Sequence, residues 1–168
     1  MKILLLVLAV FLTACGGEEP SVTLFLDAPR PAQVPENHPE IRELLNEFLD
    51  MNKHNPVYVA GVVKQILVVD NFANLPTSSP ETVGLASYRT LNGKSLVGSG
   101  TIYLKRAFWE SASYETRKVL LWHECGHAYN NLDHTQDDTS VMSPTLPSHL
   151  QLLNYWFDMV DAFLKQRQ

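Results

Sequence analysis

Residues 123 to 127 read His-Glu-Cys-Gly-His, and a further histidine, His134, follows seven positions after His127. On a helix, side chains four apart leave the same face, so His123 and His127 can aim their rings at one point. Neutral imidazole suits zinc far better than calcium or magnesium, so the pair points to a zinc site. Glu124, beside the first histidine, can then reach a water on such an ion and take its proton. The chemistry expected of such a group is hydrolysis. Catalytic zinc needs three protein ligands and one open position. No glutamate follows Glu124, which closes the option of a Glu ligand from a later helix. A sharp turn that returns a ligand within a few residues of His127 stays open.

The pair needs a helix beneath it. Ser111 or Ser113 is placed to cap that helix, and Glu115 in its first turn complements the macrodipole. Val119, Leu120, Trp122 and Cys125 give it apolar faces and leave the histidine side free, which makes Cys125 a packing residue on its back. Upstream, Pro39 opens a helix with Asn37 or His38 as cap; Ile41, Leu44, Leu45, Phe48, Leu49 and Met51 recur at helical spacing to about Asn55-Pro56. Val57 to Val63 and Gln65 to Phe72 read as strands, the second, through Ile66-Leu67-Val68-Val69, as a fully buried central strand. A turn-rich loop covers Asn74 to Pro80. Thr82 to Thr90 and Thr101 to Lys105 are further strands, separated by an Asn92-Gly93 turn. A last helix runs from about Ser148 to Gln168, with Leu150, Leu153, Phe157, Val160 and Leu164 as its apolar stripe. Trp109, Trp122 and Trp156 read as core. The class is α+β.

A formal charge of −5 gives no basic footprint, so no nucleic-acid partner is expected. At the N-terminus, Lys2 precedes an apolar run from Ile3 to Leu12 that is too short to span a bilayer, and Leu12-Thr13-Ala14-Cys15 follows. This segment resembles the lipobox of bacterial lipoproteins. The resemblance implies a signal peptide at residues 1–14, lipid on Cys15, a Pro- and Glu-rich tether over 15–38, and one domain over 39–168. Within the tether, Val22 to Leu26 reads as a short strand. Gly16 after the cysteine is similar to the pattern of outer-membrane sorting, so the expected location is the bacterial cell envelope, with the membrane as partner through Cys15. With Cys15 lipidated, Cys125 has no disulfide partner.

His123, Glu124 and His127, a ligand in Asp133-His134, and Ser140-Val141-Met142-Ser143-Pro144 together resemble the metzincin clan of zinc endopeptidases. That clan's pattern is HExxHxxGxxH followed by a methionine turn, and the stretch Leu132 to Met142 is most similar to matrixin-type bacterial members. The resemblance implies a twisted mixed β-sheet with an antiparallel edge strand, packed by an N-terminal helix, the HExxH helix and a C-terminal helix. It implies Zn2+ on His123, His127 and a third ligand, with Met142 as a floor beneath them. The clan's glycine falls at Asn130; counting from it gives Asp133 as third ligand, whereas counting back from Met142 gives His134, the favoured choice. Asn130 or Asn131 can make the left-handed turn without glycine. Asp133, Asp137 or Asp138 could then fix a histidine tautomer. By resemblance, an edge strand within Thr82 to Thr90 would pair with an extended peptide or protein substrate, and Ser143 to Leu150 would wall the pocket. The implied activity is peptide hydrolysis with Glu124 as general base. The alternatives are a non-catalytic zinc-binding envelope lipoprotein of the same fold and a zinc amide hydrolase with a non-protein substrate.

Overall fold

The computed structural model describes residues 31–54, 58–73, 75, 79 and 81–165. The signal-like segment, Cys15 and Val22 to Leu26 lie outside them. The elements run α1 (Pro39–Asn52), β1 (Val63–Val69), β2 (Gly84–Ser87), β3 (Thr90–Leu91), β4 (Lys94–Ser95), β5 (Gly100–Lys105), α2 (Arg106–Ser111), α3 (Tyr114–Asn130) and α4 (His149–Lys165). The described fold is thus α+β, as its alternating strand and helix periodicities require. No described helix is long and apolar enough to cross a membrane.

β5 lies between β1 and β2, parallel to the first and antiparallel to the second. Its alternate residues Gly100, Ile102 and Leu104 are buried, as period-2 packing demands. β2 is the antiparallel edge strand expected within Thr82 to Thr90, but it is shorter than that range. After Ser87 the chain leaves the sheet and forms the β3–β4 hairpin. Asn92 (φ 51) and Gly93 (φ 74) supply the two left-handed positions of that turn. The expected strand from Val57 to Val63 is absent at residues 58–62. Gly61 at φ 70 turns the chain there, so β1 starts at Val63. β1 ends at Val69 rather than Phe72, and it is an edge strand with only Val63 and Ile66 buried, not the fully buried central strand expected.

α1 buries Ile41, Leu44, Leu45 and Phe48, an i, i+3, i+4, i+7 stripe that packs on α3. Each such side chain contributes roughly 1.5–3 kcal/mol of burial. Phe48 joins three helices: its ring lies 5.8 Å from Trp122 and Tyr129 on α3, and 6.1 Å from Phe163 on α4. Trp109 and Trp122 are buried and Trp156 packs against the same core, as expected. The Trp109 Nε1–H donates to Glu40 at 2.9 Å, and Arg117 donates to the same carboxylate at 3.2 Å. These bonds tie the start of α1 to α2 and α3.

Three expectations give way. α2, which follows β5 directly, was not foreseen; Ser111 belongs to it, donating back to the Ala107 carbonyl, and Ser113 alone caps α3. The packed fold also starts ahead of Pro39, because Ala32 is buried and Gln33 forms a parallel bridge with Gln65. On α4 the inward face is Leu152, Met159, Val160 and Phe163, while Leu150, Leu153 and Phe157 are 70%, 61% and 85% exposed. This helix carries enough apolar residues for two overlapping stripes, and contacts of Phe163 with Phe48 and of Trp156 with Trp122 select one.

Candidate metal centre

α3 begins at Ser113, whose Oγ accepts from the Thr116 N–H at 3.2 Å, satisfying one orphan donor of the first turn. From Val119 to Gly126 every residue is buried, between α1, α4 and the sheet. His123 is buried among them and His127, one turn on, is half-buried. Their Nε2 atoms stand 3.0 Å apart, and the Nε2 of exposed His134 lies 3.1 Å from the first and 3.2 Å from the second.

The other ring nitrogens decide what this triangle is. His123 Nδ1 lies 2.8 Å from the Val141 carbonyl and His127 Nδ1 lies 2.6 Å from the Leu132 carbonyl. A carbonyl oxygen only accepts, so both Nδ1 atoms carry the proton and both Nε2 atoms present lone pairs. Two lone pairs facing each other at this distance repel; a cation between them removes the conflict. Nitrogens sharing a tetrahedral zinc at about 2.0–2.1 Å stand roughly 3.3 Å apart, so the spacing fits that group. Burial, reinforced by the charge of neighbouring histidines, pushes His123 down to about 3. Burial likewise lowers His127. Both rings are therefore neutral, the state that binds a metal.

The third ring arrives by a turn. Asn131 adopts the left-handed conformation (φ 50), and the Leu132 N–H donates to the Gly126 carbonyl at 3.2 Å. Of the two asparagines the sequence offered, Asn131 makes the turn. The backbone then brings His134 into the converging group, and Asp133 is not part of it. Aspartates do not fix the tautomers of His123 and His127, since backbone carbonyls hold both of their Nδ1 atoms. Asp137 instead accepts from the Thr139 N–H at 2.9 Å and its hydroxyl at 2.6 Å, closing the loop. Further on, the Ser140 hydroxyl accepts from the Met142 N–H at 3.1 Å, and the Thr135 N–H donates to the Met142 carbonyl at 3.0 Å. These bonds place the Val141 carbonyl under His123.

Met142 is fully buried beneath the motif helix. Gly126 allows this: a Cβ on it would lie 2.5 Å from Met142 Sδ and 3.0 Å from Phe163 Cε2. The sequence reading assigned Gly126 nothing, although a glycine inside a helix costs about 0.5–1 kcal/mol and so signals a close approach. Gly84 on β2 was missed in the same way; a Cβ there would stand 2.5 Å from Glu124 Oε1. Glu124 is only 4% exposed. Burial raises its carboxyl to about 8, against a smaller opposing effect of hydrogen bonding from the Ala86 backbone. Cys125 is buried and free, its thiol pushed up by burial, which fits the packing role expected of it.

These groups open on a cleft of about 520 Å³. Its floor is Leu120, His123, Glu124 and His127, one wall is β2 with Val83 and Tyr88, and the opposite wall includes Ser143, Pro144 and Leu146. The Lys105 N–H donates to the Val83 carbonyl at 2.9 Å, so Val83 and Leu85 pair with β5. By antiparallel alternation Gly84 and Ala86 turn their backbone groups to the open edge. No known family, curated protein or solved structure matches this chain. What the described residues hold is three histidines close enough to bind a metal ion, with a buried carboxyl group beside them.

Proposed function

We propose that this protein is a zinc-dependent endopeptidase of metzincin-like, matrixin-like build, anchored to the bacterial cell envelope through lipid on Cys15. One observation carries the catalytic reading: the imidazole triangle, 3.0–3.2 Å on edge, shares a cleft with Glu124 and a free strand edge. His123, His127 and His134 would hold the ion. A zinc ion held there supplies acidity to a water and polarises a carbonyl.

The chain's own residues supply the rest. An extended peptide lies along β2, its backbone groups meeting those of Gly84 and the Ala86 carbonyl, since the Ala86 N–H serves Glu124. Glu124 takes a proton from the attacking water as the water oxygen bonds to the scissile carbonyl carbon. It then passes that proton to the amide nitrogen as the carbon–nitrogen bond breaks, leaving a carboxylate and an amine. Burial alone would keep Glu124 protonated near neutrality, and the carboxyl would act as a base once a cation held by the neighbouring imidazoles lowered its pKa. Gly84 leaves the room in which that carboxylate turns.

Glu124→Gln tests the reading with unfolded casein as substrate. It should keep stoichiometric zinc and lose about 10²–10⁴-fold in turnover. A chelator should abolish wild-type cleavage and zinc should restore it. Undiminished cleavage by the variant, or a zinc-loaded wild type that cuts nothing, would overturn the proposal.

A further inference from the structure

The endopeptidase reading leaves open which side chain, besides the metal, steadies the negative charge that develops on the scissile carbonyl oxygen. The cleft lining contains no lysine and no arginine among the described residues. Its side-chain hydroxyl donors are Ser79, Thr82, Tyr88 and Ser143. The Ser79 and Thr82 hydroxyls are 3.2 Å apart and engage each other, with the Ser79 N–H also on Thr82. The Ser143 hydroxyl lies 3.3 Å from that of Thr145 and accepts from the Thr145 N–H. Tyr88 differs. Its ring packs half-buried against the core, and its hydroxyl makes no hydrogen bond to any described residue.

Its position follows from the strand. Gly84 faces Leu120 and Glu124 across the cleft floor, and the Ala86 backbone reaches Glu124. Gly84 and Ala86, two apart on the strand, share one face, and Tyr88 is the first residue past the end of β2 at Ser87. One helical turn beyond Glu124 is His127, and Tyr88 lines the cleft together with it and with His134. The field of Asp133, the neighbour of His134, reaches the phenol. An unengaged donor on a half-buried, packed ring is preorganised in the manner that stabilises an oxyanion without reorganisation.

We propose that Tyr88 is a catalytic residue whose phenolic O–H donates a hydrogen bond to the scissile carbonyl oxygen as it becomes negative. This rests on the endopeptidase reading, and the test keeps the two separable. Tyr88→Phe keeps the ring and its packing, so zinc content and melting temperature serve as controls and should equal those of the wild type. Casein cleavage sites are first mapped with the zinc-loaded wild type. A peptide spanning one of them is then assayed, alongside a phosphinic pseudo-peptide whose tetrahedral anion imitates the charged oxygen. Tyr88→Phe should lower kcat on the order of 10²-fold, the lower end of the loss for one such donor, with KM changed less than about threefold. Affinity for the phosphinic pseudo-peptide should fall by a similar factor in direct calorimetric binding. Unchanged kcat and unchanged pseudo-peptide affinity overturn the role of Tyr88 and leave the endopeptidase reading intact. A raised KM with kcat preserved also overturns it, since Tyr88 would then only hold substrate. A wild type that cleaves nothing removes both.

Discussion

The helix α3 and the irregular segment from Asn131 to Ser143 build the same site by different means. α3 supplies two imidazoles through its periodicity, locks them in a buried wall, and needs no flexibility to do so. The segment supplies one exposed imidazole, placed by local hydrogen bonds at Asn131, Thr135, Asp137 and Ser140. Yet the orientation of the helical rings comes from the segment, through the Leu132 and Val141 carbonyls. The helix contributes nitrogen atoms and the turn contributes their tautomers. Neither half is a site without the other, although the helical half is the sturdier.

The largest test of that asymmetry is metal affinity. His123→Ala should weaken zinc binding on the order of 10³-fold, about one ligand's share of a typical site's binding energy. His134→Ala should cost less, because an exposed ring has more freedom to lose on binding. Competition with a chromogenic chelator measures both, and an equal or reversed order breaks the comparison.

Next comes acidity in the metal-free protein. His123 is held near 3 against an ordinary 6.5, so the unfolded chain binds the extra proton and stability falls as pH drops from 6.5 toward 3. Glu124 works oppositely: its folded carboxyl keeps its proton up to about 8 against an ordinary 4.5, so stability falls as pH rises through that window. Metal-free Glu124→Gln should therefore melt several degrees above the parent at pH 8 and match it at pH 4. Parallel melting curves at both values would contradict the burial of that carboxyl.

A smaller effect probes where helix and turn touch. Gly126→Ala should cost about 1–3 kcal/mol by crowding Met142. In a Met142→Ala background the same change should cost less, because of the two tight contacts only that with Phe163 remains. A double-mutant cycle by urea unfolding reads this coupling, and additive values would deny the contact. Smaller again, Asp137→Ala should loosen the loop and lower zinc affinity about tenfold. Asp133→Ala should leave zinc stoichiometry at one and affinity within about threefold; loss of zinc there would restore Asp133 as third ligand.

The helical half was legible because period and capping are local. His123, Glu124, His127, the Ser113 cap and the α1 stripe all follow from residues a few positions apart. His134 needed more, since one inserted residue in a turn shifts the count between Asp133 and His134, and only the backbone at Asn131 decides. Gly84 and Gly126 were illegible as site residues because their purpose is the side chain of a distant partner. α4 misled for a related reason: Leu150, Leu153 and Phe157 satisfy helical spacing as well as the true inward set, and tertiary contacts at Phe163 choose. The strand pattern over Val57 to Val63 failed at Gly61, whose positive φ outweighs the β-branched residues around it.

The bridge between Gln33 and Gln65 has a mechanical corollary. It fastens the incoming chain to the outer margin of β1, and β5 intervenes before β2, so about 10 Å of sheet separates that mooring from the strand bordering the cleft. Tension applied from the amino-terminal side would be taken up as shear on β1 and spread through the parallel ladder, while β2 at the opposite margin would stay unloaded.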